Sequence, residues 1–322
     1  MQLFACPSCG ERLFFENLTC FCGTQVVFDP DAMTFNMVQN ICANRAEIQC
    51  NWQAEDADGH CRSCRMTEVR PDPSLQEAVD LWAESERAKR WVIANLGRWG
   101  WFTANDRSQR PIFHMLAEET RRGDADVIMG HDDGLVTINV NEADPAERAK
   151  RREDLGEALR TMIAHFRHEI AHYFFFILAG RDGFLGEFHR LFGDETADYS
   201  DALKAYYAGG APADWRTRFI SPYAAAHPHE DWAESFAHLL HLTDIVDSFS
   251  AAGLGGADLP PSGYDAYLET DIDRLIGYAV RLGIALNHVN RSMGLSDLYP
   301  FTHTPAIQQK FAFIHKWVRR GP

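Results

Sequence analysis

The stretch "IAHFRHEIAHYFFF", residues 163–176, sets His168, Glu169 and His172 within a largely apolar and aromatic run. Polar groups cost free energy to bury unless something satisfies them, so these three side chains demand a partner. On a helix, positions 168 and 172 lie about 40° apart around the axis, nearly one above the other. Both imidazoles then reach a single ion. Glu169 points about 100° away from His168, beside such an ion and not onto it. A base for a metal-activated water belongs there, and the pattern is H-E-x-x-H.

A second helical stretch, "HPHEDWAESFAHLLH" at 227–241, carries Glu230 and Glu234, also one turn apart on one face. Ala233 and Ala237 beside them are small enough to let that face approach another helix, and Ala164 and Ala171 do the same beside the histidines. Two helices meeting through such stripes assemble two imidazoles and the Glu230 carboxylate around zinc, leaving a fourth position for water. Glu234 then accepts from the other ring nitrogen of a ligand histidine and fixes its tautomer. His229 is the rival to Glu230 as third ligand. Duller readings exist: Glu230 and Asp231 as first-turn acids favoured by the helix dipole, and Glu234 with His238 as an exposed pair. His165, His227, His238 and His241 read as surface or packing residues, and Tyr173 to Phe176 as core.

The eight cysteines lie between positions 6 and 64. They form two sets: Cys6, Cys9, Cys20 and Cys22, then Cys42, Cys50, Cys61 and Cys64. "CPSCG" and "CFCG" in the first and "CRSC" in the second are tight turns that present two thiolates to one ion, with glycine letting the backbone turn back toward the metal. Short strands in "RLFFENLTCF" and "TQVVFDP" complete a zinc ribbon. The spacing between Cys42 and Cys50 is looser, and ligand pairing across the sets stays open. In a chain without a visible export signal, cysteines so spaced point to metal and not to disulfides.

Net charge is −15, and residues 1–70 carry a balance of −4. Nucleic-acid binding needs a basic surface, so it is not expected. "MQLFACPSCG" has no basic start before an apolar run, and "YFFFILAG" is too short to span a bilayer. The expectation is a cytoplasmic protein outside the membrane.

The remaining pattern predicts a linker at "TEVRPDPS" and a helix from Ser74, capped with Glu77, to about Leu96, burying Leu75, Val79, Trp82 and Val92. A strand follows at Leu135–Val140. A helix runs from Asp144-Pro145 to about Gly180, with Gly156 a point of interruption. Further helices occupy Pro228 to beyond Leu242, 265–290 and 305–319. The fold class is α+β, mainly helical: tandem zinc ribbons over 1–70, then a zincin-like domain with a small sheet over 71–322.

Glu-x-x-Ala-Glu after a distant H-E-x-x-H resembles the gluzincin metallopeptidases. The resemblance implies His168, His172 and Glu230 as zinc ligands, Glu169 as general base and Glu234 as support, and it adds Tyr223, seven residues before Glu230, as a catalytic tyrosine. More closely, the chain resembles the bacterial family described as putative zinc-binding metallopeptidases with an N-terminal zinc ribbon. That resemblance runs through "CPSCG", "CNW", "CRSCR", "ERAKR", "HFRHEIAHY", "FGDETADYSDALKAYY", "HPHEDWAESFAHLLH" and "NRSMGLSDLYPF". Ala171 stands where the family usually has glycine, a change between small residues.

The expected function is zinc-dependent hydrolysis of peptide bonds in a protein or peptide substrate, with about one catalytic and two structural zinc ions. Two other readings fit the same residues: a zinc-ribbon adaptor for protein partners with an inactive zincin body, or a zinc amidase of narrow specificity. An extended substrate would pair with the strand "LVTINV" if that strand lies at a sheet edge.

Overall fold

A computed structural model describes residues 1–56, 58–155 and 157–322. The expected interruption at Gly156 lies outside the described residues. The chain divides into two compact units, Met1–Phe166 with Pro322, and Arg167–Gly321.

In the first unit the cysteine turns are stitched by short strands. β1 (Phe4–Ala5) pairs antiparallel with β2 (Arg12–Leu13), and β3 (Val26–Asp29) with β4 (Thr34–Met37). Strands this short bury little, so an aromatic cluster supplies the core: Phe4, Phe15 and Phe35 each meet the ring of Phe28 edge-on at 5.0–5.3 Å. Trp52 of "CNW" is fully buried against Phe28, and Asn51 donates to the Phe15 carbonyl at 2.5 Å. Two single-turn helices lie within the second cysteine set, α1 (Arg45–Ile48) between Cys42 and Cys50 and α2 (Arg62–Arg65) carrying Cys64. Cys61 caps α2 by accepting from the Cys64 amide.

β5 (Thr67–Val69) leads to α3 (Gln76–Gly97), a run free of proline and glycine until its end. Val79, Trp82 and Val92 are buried as the pattern predicts, whereas Leu75 is only partly so. The predicted capping box does not form: Ser74 donates to Asp72, and Leu75 occupies the cap. Glu86, Lys89 and Arg90 of "ERAKR" are buried on this helix.

β6 (Ile112–Leu116), the hairpin of β7 (Glu119–Thr120) with β8 (Gly123–Asp124), β9 (Gly130–Asp132) and β10 (Leu135–Asn139) follow, then α4 (Pro145–Leu155). The main sheet has the order β5-β6-β10-β9. β10 is parallel to β6 along its whole length and antiparallel to β9 through Leu135–Thr137. "LVTINV" is therefore an inner strand and not the edge that substrate pairing would require; the short β9, which no periodicity announced, covers it.

The single helix expected from Asp144 to Gly180 is two. Asp144 caps α4 by accepting from Ala146 and Glu147, and α5 (Met162–Leu178) starts afresh, with Thr161 accepting from Ala164. Of the four aromatics that follow His172, Tyr173 and Phe174 are fully buried and Phe176 is exposed.

The second unit contains most of α5, then α6 (Phe184–Leu191), α7 (Tyr199–Gly209), α8 (Pro228–Ala251), α9 (Ile272–Ser292) and α10 (Pro305–Val318). Its core is aromatic: Trp232 of α8 meets the rings of Phe184, Phe188, Phe192 and Phe313 at 5.6–6.1 Å. α8 starts at Pro228 because His227 caps it, its Nδ1 accepting from the His229 amide while proline fills a position with no amide partner to lose. α9 starts later than predicted: Asp265 accepts from Tyr267 and Leu268 and holds a turn there, leaving Asp271 as the cap. No helix among the described residues is long and apolar enough to cross a membrane.

Candidate metal centres and catalytic site

Small residues bring α5 and α8 together as their positions suggested. Ala171 and Ala233 are fully buried, and the Trp232 indole donates to the Ala171 carbonyl at 2.7 Å. This contact sets the histidine stripe of α5 against the acidic stripe of α8.

His168, His172 and Glu230 meet there, each offering one ligand atom, all within 4.8 Å of one another. The Nε2 atoms of the histidines are 3.2 Å apart. Glu230 places Oε2 3.1 Å from His168 Nε2 and Oε1 3.6 Å from His172 Nε2. Tetrahedral zinc with ligands at about 2.0–2.2 Å separates its donors by about 3.3–3.6 Å, so this spacing suits zinc. Glu230 is 1% exposed, yet its Oε2 makes no properly angled hydrogen bond. A buried carboxylate oxygen so left calls for a cation.

The electrostatics agree. Burial opposes a charge on His168, but the carboxylates of Glu230 and Glu234 outweigh it and hold its pKa well above the ordinary value. Burial likewise opposes ionisation of Glu230, and His172 and His168 overcome it, so Glu230 stays a carboxylate. The pocket favours positive charge.

Around this trio the other groups take distinct places. His168 Nδ1 lies 2.9 Å from Glu234 Oε1, a contact able to hold the imidazole in one orientation. Glu169 is buried with Oε2 unpaired; burial pushes its pKa up to about 7, against the pull of His168. A carboxylate poised near neutrality can accept and return a proton. Tyr223 lies in a single 3-10 turn before α8, its ring 6.1 Å from that of His168.

The competing histidines are engaged elsewhere. His229 packs on Phe175, ring to ring at 4.5 Å, outside the donor group. His165 stands 3.3 Å from the buried Glu142. His238 is buried and bonded to the Tyr299 hydroxyl at 2.8 Å, so it is not an exposed partner of Glu234. Phe301 meets the His238 ring at 4.3 Å. Through these two contacts "DLYPF" lines the back of the α8 stripe.

Tyr199 was missed in the sequence. Its hydroxyl donates to Glu230 Oε1 at 2.7 Å. His227 steers it: the rings meet edge-on at 5.1 Å, and His227 Nε2 lies 3.1 Å from the Ala197 carbonyl in the loop that leads to Tyr199. Nothing local marks this role, because Tyr199 is 31 residues from its partner.

Each cysteine set of the first unit also closes on itself, where the sequence leaves pairing across the sets open. In the first, Sγ atoms of Cys6 and Cys22 are 3.9 Å apart and those of Cys9 and Cys20 3.7 Å. In the second, Cys50 lies 3.7 Å from both Cys61 and Cys64. Four sulfurs at about 2.3 Å from zinc stand about 3.8 Å apart, so these separations suit a shared ion better than thiol hydrogen bonding. The first set has two exposed members, Cys9 and Cys22; all four of the second are buried. A further donor group, His189, Asp194 and Glu195, is largely exposed, with His189 already bonded to Glu195.

Residues 78–317 match a family described as "Putative zinc-binding metallo-peptidase". Uncharacterized proteins of Mycobacterium bovis and Mycobacterium tuberculosis are 38% identical to this chain over 328 residues, covering 98% of it and 94% of each relative. No solved structure matches it at a significant level. On the strength of a family match that spans most of its length, this chain belongs to the putative zinc-binding metallo-peptidases.

Proposed function

We propose that the protein is a zinc-dependent peptidase of gluzincin type, in which His168, His172 and Glu230 hold the catalytic ion. The observation that carries this reading is the convergence of three donor atoms on one point, with the buried Glu230 Oε2 beside His168 yet without a properly angled hydrogen bond. A zinc ion bound there supplies Lewis acidity, bringing the pKa of a water to about 7. Glu169 removes a proton from the attacking water and returns it to the departing amine, a role suited to a buried carboxylate with one oxygen free of hydrogen bonds. Glu234 keeps the His168 ring oriented. Tyr223 donates a hydrogen bond to the substrate oxygen as negative charge develops on it.

The cysteine-rich residues 1–70 form a ribbon module separate in role from the peptidase body over 71–322. The family match supports this division, since it begins at residue 78 and leaves the cysteines outside. Phe21, fully exposed between Cys20 and Cys22, and the exposed Phe14 favour a second role for that module, contact with a protein partner.

Metal analysis and one variant test the central reading. The purified chain should hold about three zinc ions, and Glu169→Gln should retain them all while peptide hydrolysis falls by about 10²-fold or more. Hydrolysis by Glu169→Gln at the wild-type rate would remove the proposed base. Three ions in His168→Ala would remove the proposed ligand set.

A further inference from the structure

Arg90 closes the "ERAKR" motif, which the catalytic reading leaves without a task. It sits on α3, 2% exposed, and its Nε and Nη1 atoms find no hydrogen-bond partner among the described residues. Its neighbours on the helix give it no hydrogen bond. Glu86, one turn earlier, accepts from Lys89 at 2.8 Å through Oε1, so its charge is shared with Lys89 although its Oε2 is buried without a hydrogen bond. A buried guanidinium left this way is strongly unfavourable unless another negative charge faces it.

That charge is available in the second cysteine set. α3 packs against both α1 and α2, the helices that flank Cys50 and contain Cys64. The attractions that Arg90 feels come from Cys50, Glu86, Cys64 and Cys61. Four thiolates around a divalent ion leave two negative charges, and here they are buried away from water. Arg45 faces Cys50 as well, but its guanidinium is already committed to the carbonyls of Val26 and Leu18 at 3.1 and 2.8 Å. The first set differs: Cys9 and Cys22 reach solvent, so water can screen its charge.

We infer that Arg90 is the built-in counter-charge of the Cys42, Cys50, Cys61 and Cys64 site. It is a positioning residue that offsets the net negative charge of that buried site and couples metal loading to the packing of α3. The inference rests on the reading of this cluster as a zinc tetrathiolate. It makes the two cysteine sites unlike in kind: the second is locked by a buried cation, and the first exchanges.

Site-resolved zinc release tests it on the full-length, zinc-loaded protein. The protein is exposed to excess EDTA, thiols are alkylated at intervals, and peptides from the two cysteine sets are quantified separately by mass spectrometry. In the wild type the second set should stay protected longer than the first. Arg90→Met should expose the second set about 10–100-fold faster and leave the first set unchanged, while Arg90→Lys, which keeps the charge, should restore most of the protection. Unchanged protection in Arg90→Met would overturn the inference, as would equal acceleration at both sets, the mark of general loosening. If Arg90→Met does not fold, Arg90→Lys decides alone: release at the second set as fast as at the first overturns the inference. Wild-type thiols of the second set that alkylate equally fast with and without zinc would instead overturn the tetrathiolate reading.

Discussion

Nδ1 of His168 lies 2.9 Å from Oε1 of Glu234, a side-chain contact that joins α5 to α8 and leaves the opposite ring nitrogen facing His172. Burial alone would raise the Glu234 pKa, but its bond to His168 outweighs that and keeps it a carboxylate. An anionic acceptor at Nδ1 makes the imidazole a better donor at Nε2 and prevents the ring from turning.

Glu234→Ala should therefore weaken zinc at the His168, His172 and Glu230 site by about 10–100-fold, with the cysteine sites unaffected. Competition with a chromogenic chelator would show it. Wild-type affinity in this variant would mean that the contact is incidental.

Tyr199 and Tyr223 should separate by effect. Tyr199 holds Glu230, so Tyr199→Phe should lower zinc affinity by about tenfold. Tyr223→Phe should retain zinc and lose about 10²–10³ in kcat with little change in KM. Zinc titration and steady-state peptide hydrolysis distinguish the two, and the opposite pattern would exchange the assigned roles.

Ala171 is fully buried on α5, and its carbonyl accepts from the Trp232 indole of α8. Ala171→Leu should push the helices apart and destabilise the protein by about 1–3 kcal/mol, with loss of the ion held between them. Ala171→Gly should be tolerated far better in metal content, since it leaves the approach open. Thermal unfolding paired with zinc analysis would check both, and a fully loaded Ala171→Leu would show that the approach is not tight.

Acid should destabilise the second unit through His315. Burial, aided by Arg319, pushes its pKa down to about 4. An unfolded histidine titrates near 6.5, so between about pH 6.5 and 4 the unfolded chain binds the proton that the folded chain refuses. Stability is full above that window and falls as pH drops through it, by about 3 kcal/mol at most for this group. His315→Gln should flatten the pH dependence of unfolding between pH 7 and 4.5. Parallel curves for variant and wild type would rule out His315 as the source.

Much of the site was legible before any coordinates, because the period of a helix is a local property. His168 with His172, and Glu230 with Glu234, had to share faces once their segments were helical. The paired cysteine turns were legible for a similar reason. The stripe shared with Glu234 pointed to Glu230 over His229 as the third member, but the face that α8 turns to α5 depends on a distant contact, Trp232 reaching the Ala171 carbonyl.

The sequence by itself determined the α+β class, the two cysteine sets, the two charged stripes and the small residues between them, all through spacing along short segments. Tertiary structure alone decided that Tyr199 bonds Glu230, that β9 pairs with "LVTINV" and makes it an inner strand, that "DLYPF" backs His238, and that Arg90 is buried with Nε and Nη1 free of hydrogen bonds among the described residues. These depend on groups far apart in the chain, where side-chain volume and the need to satisfy buried charge select the partner.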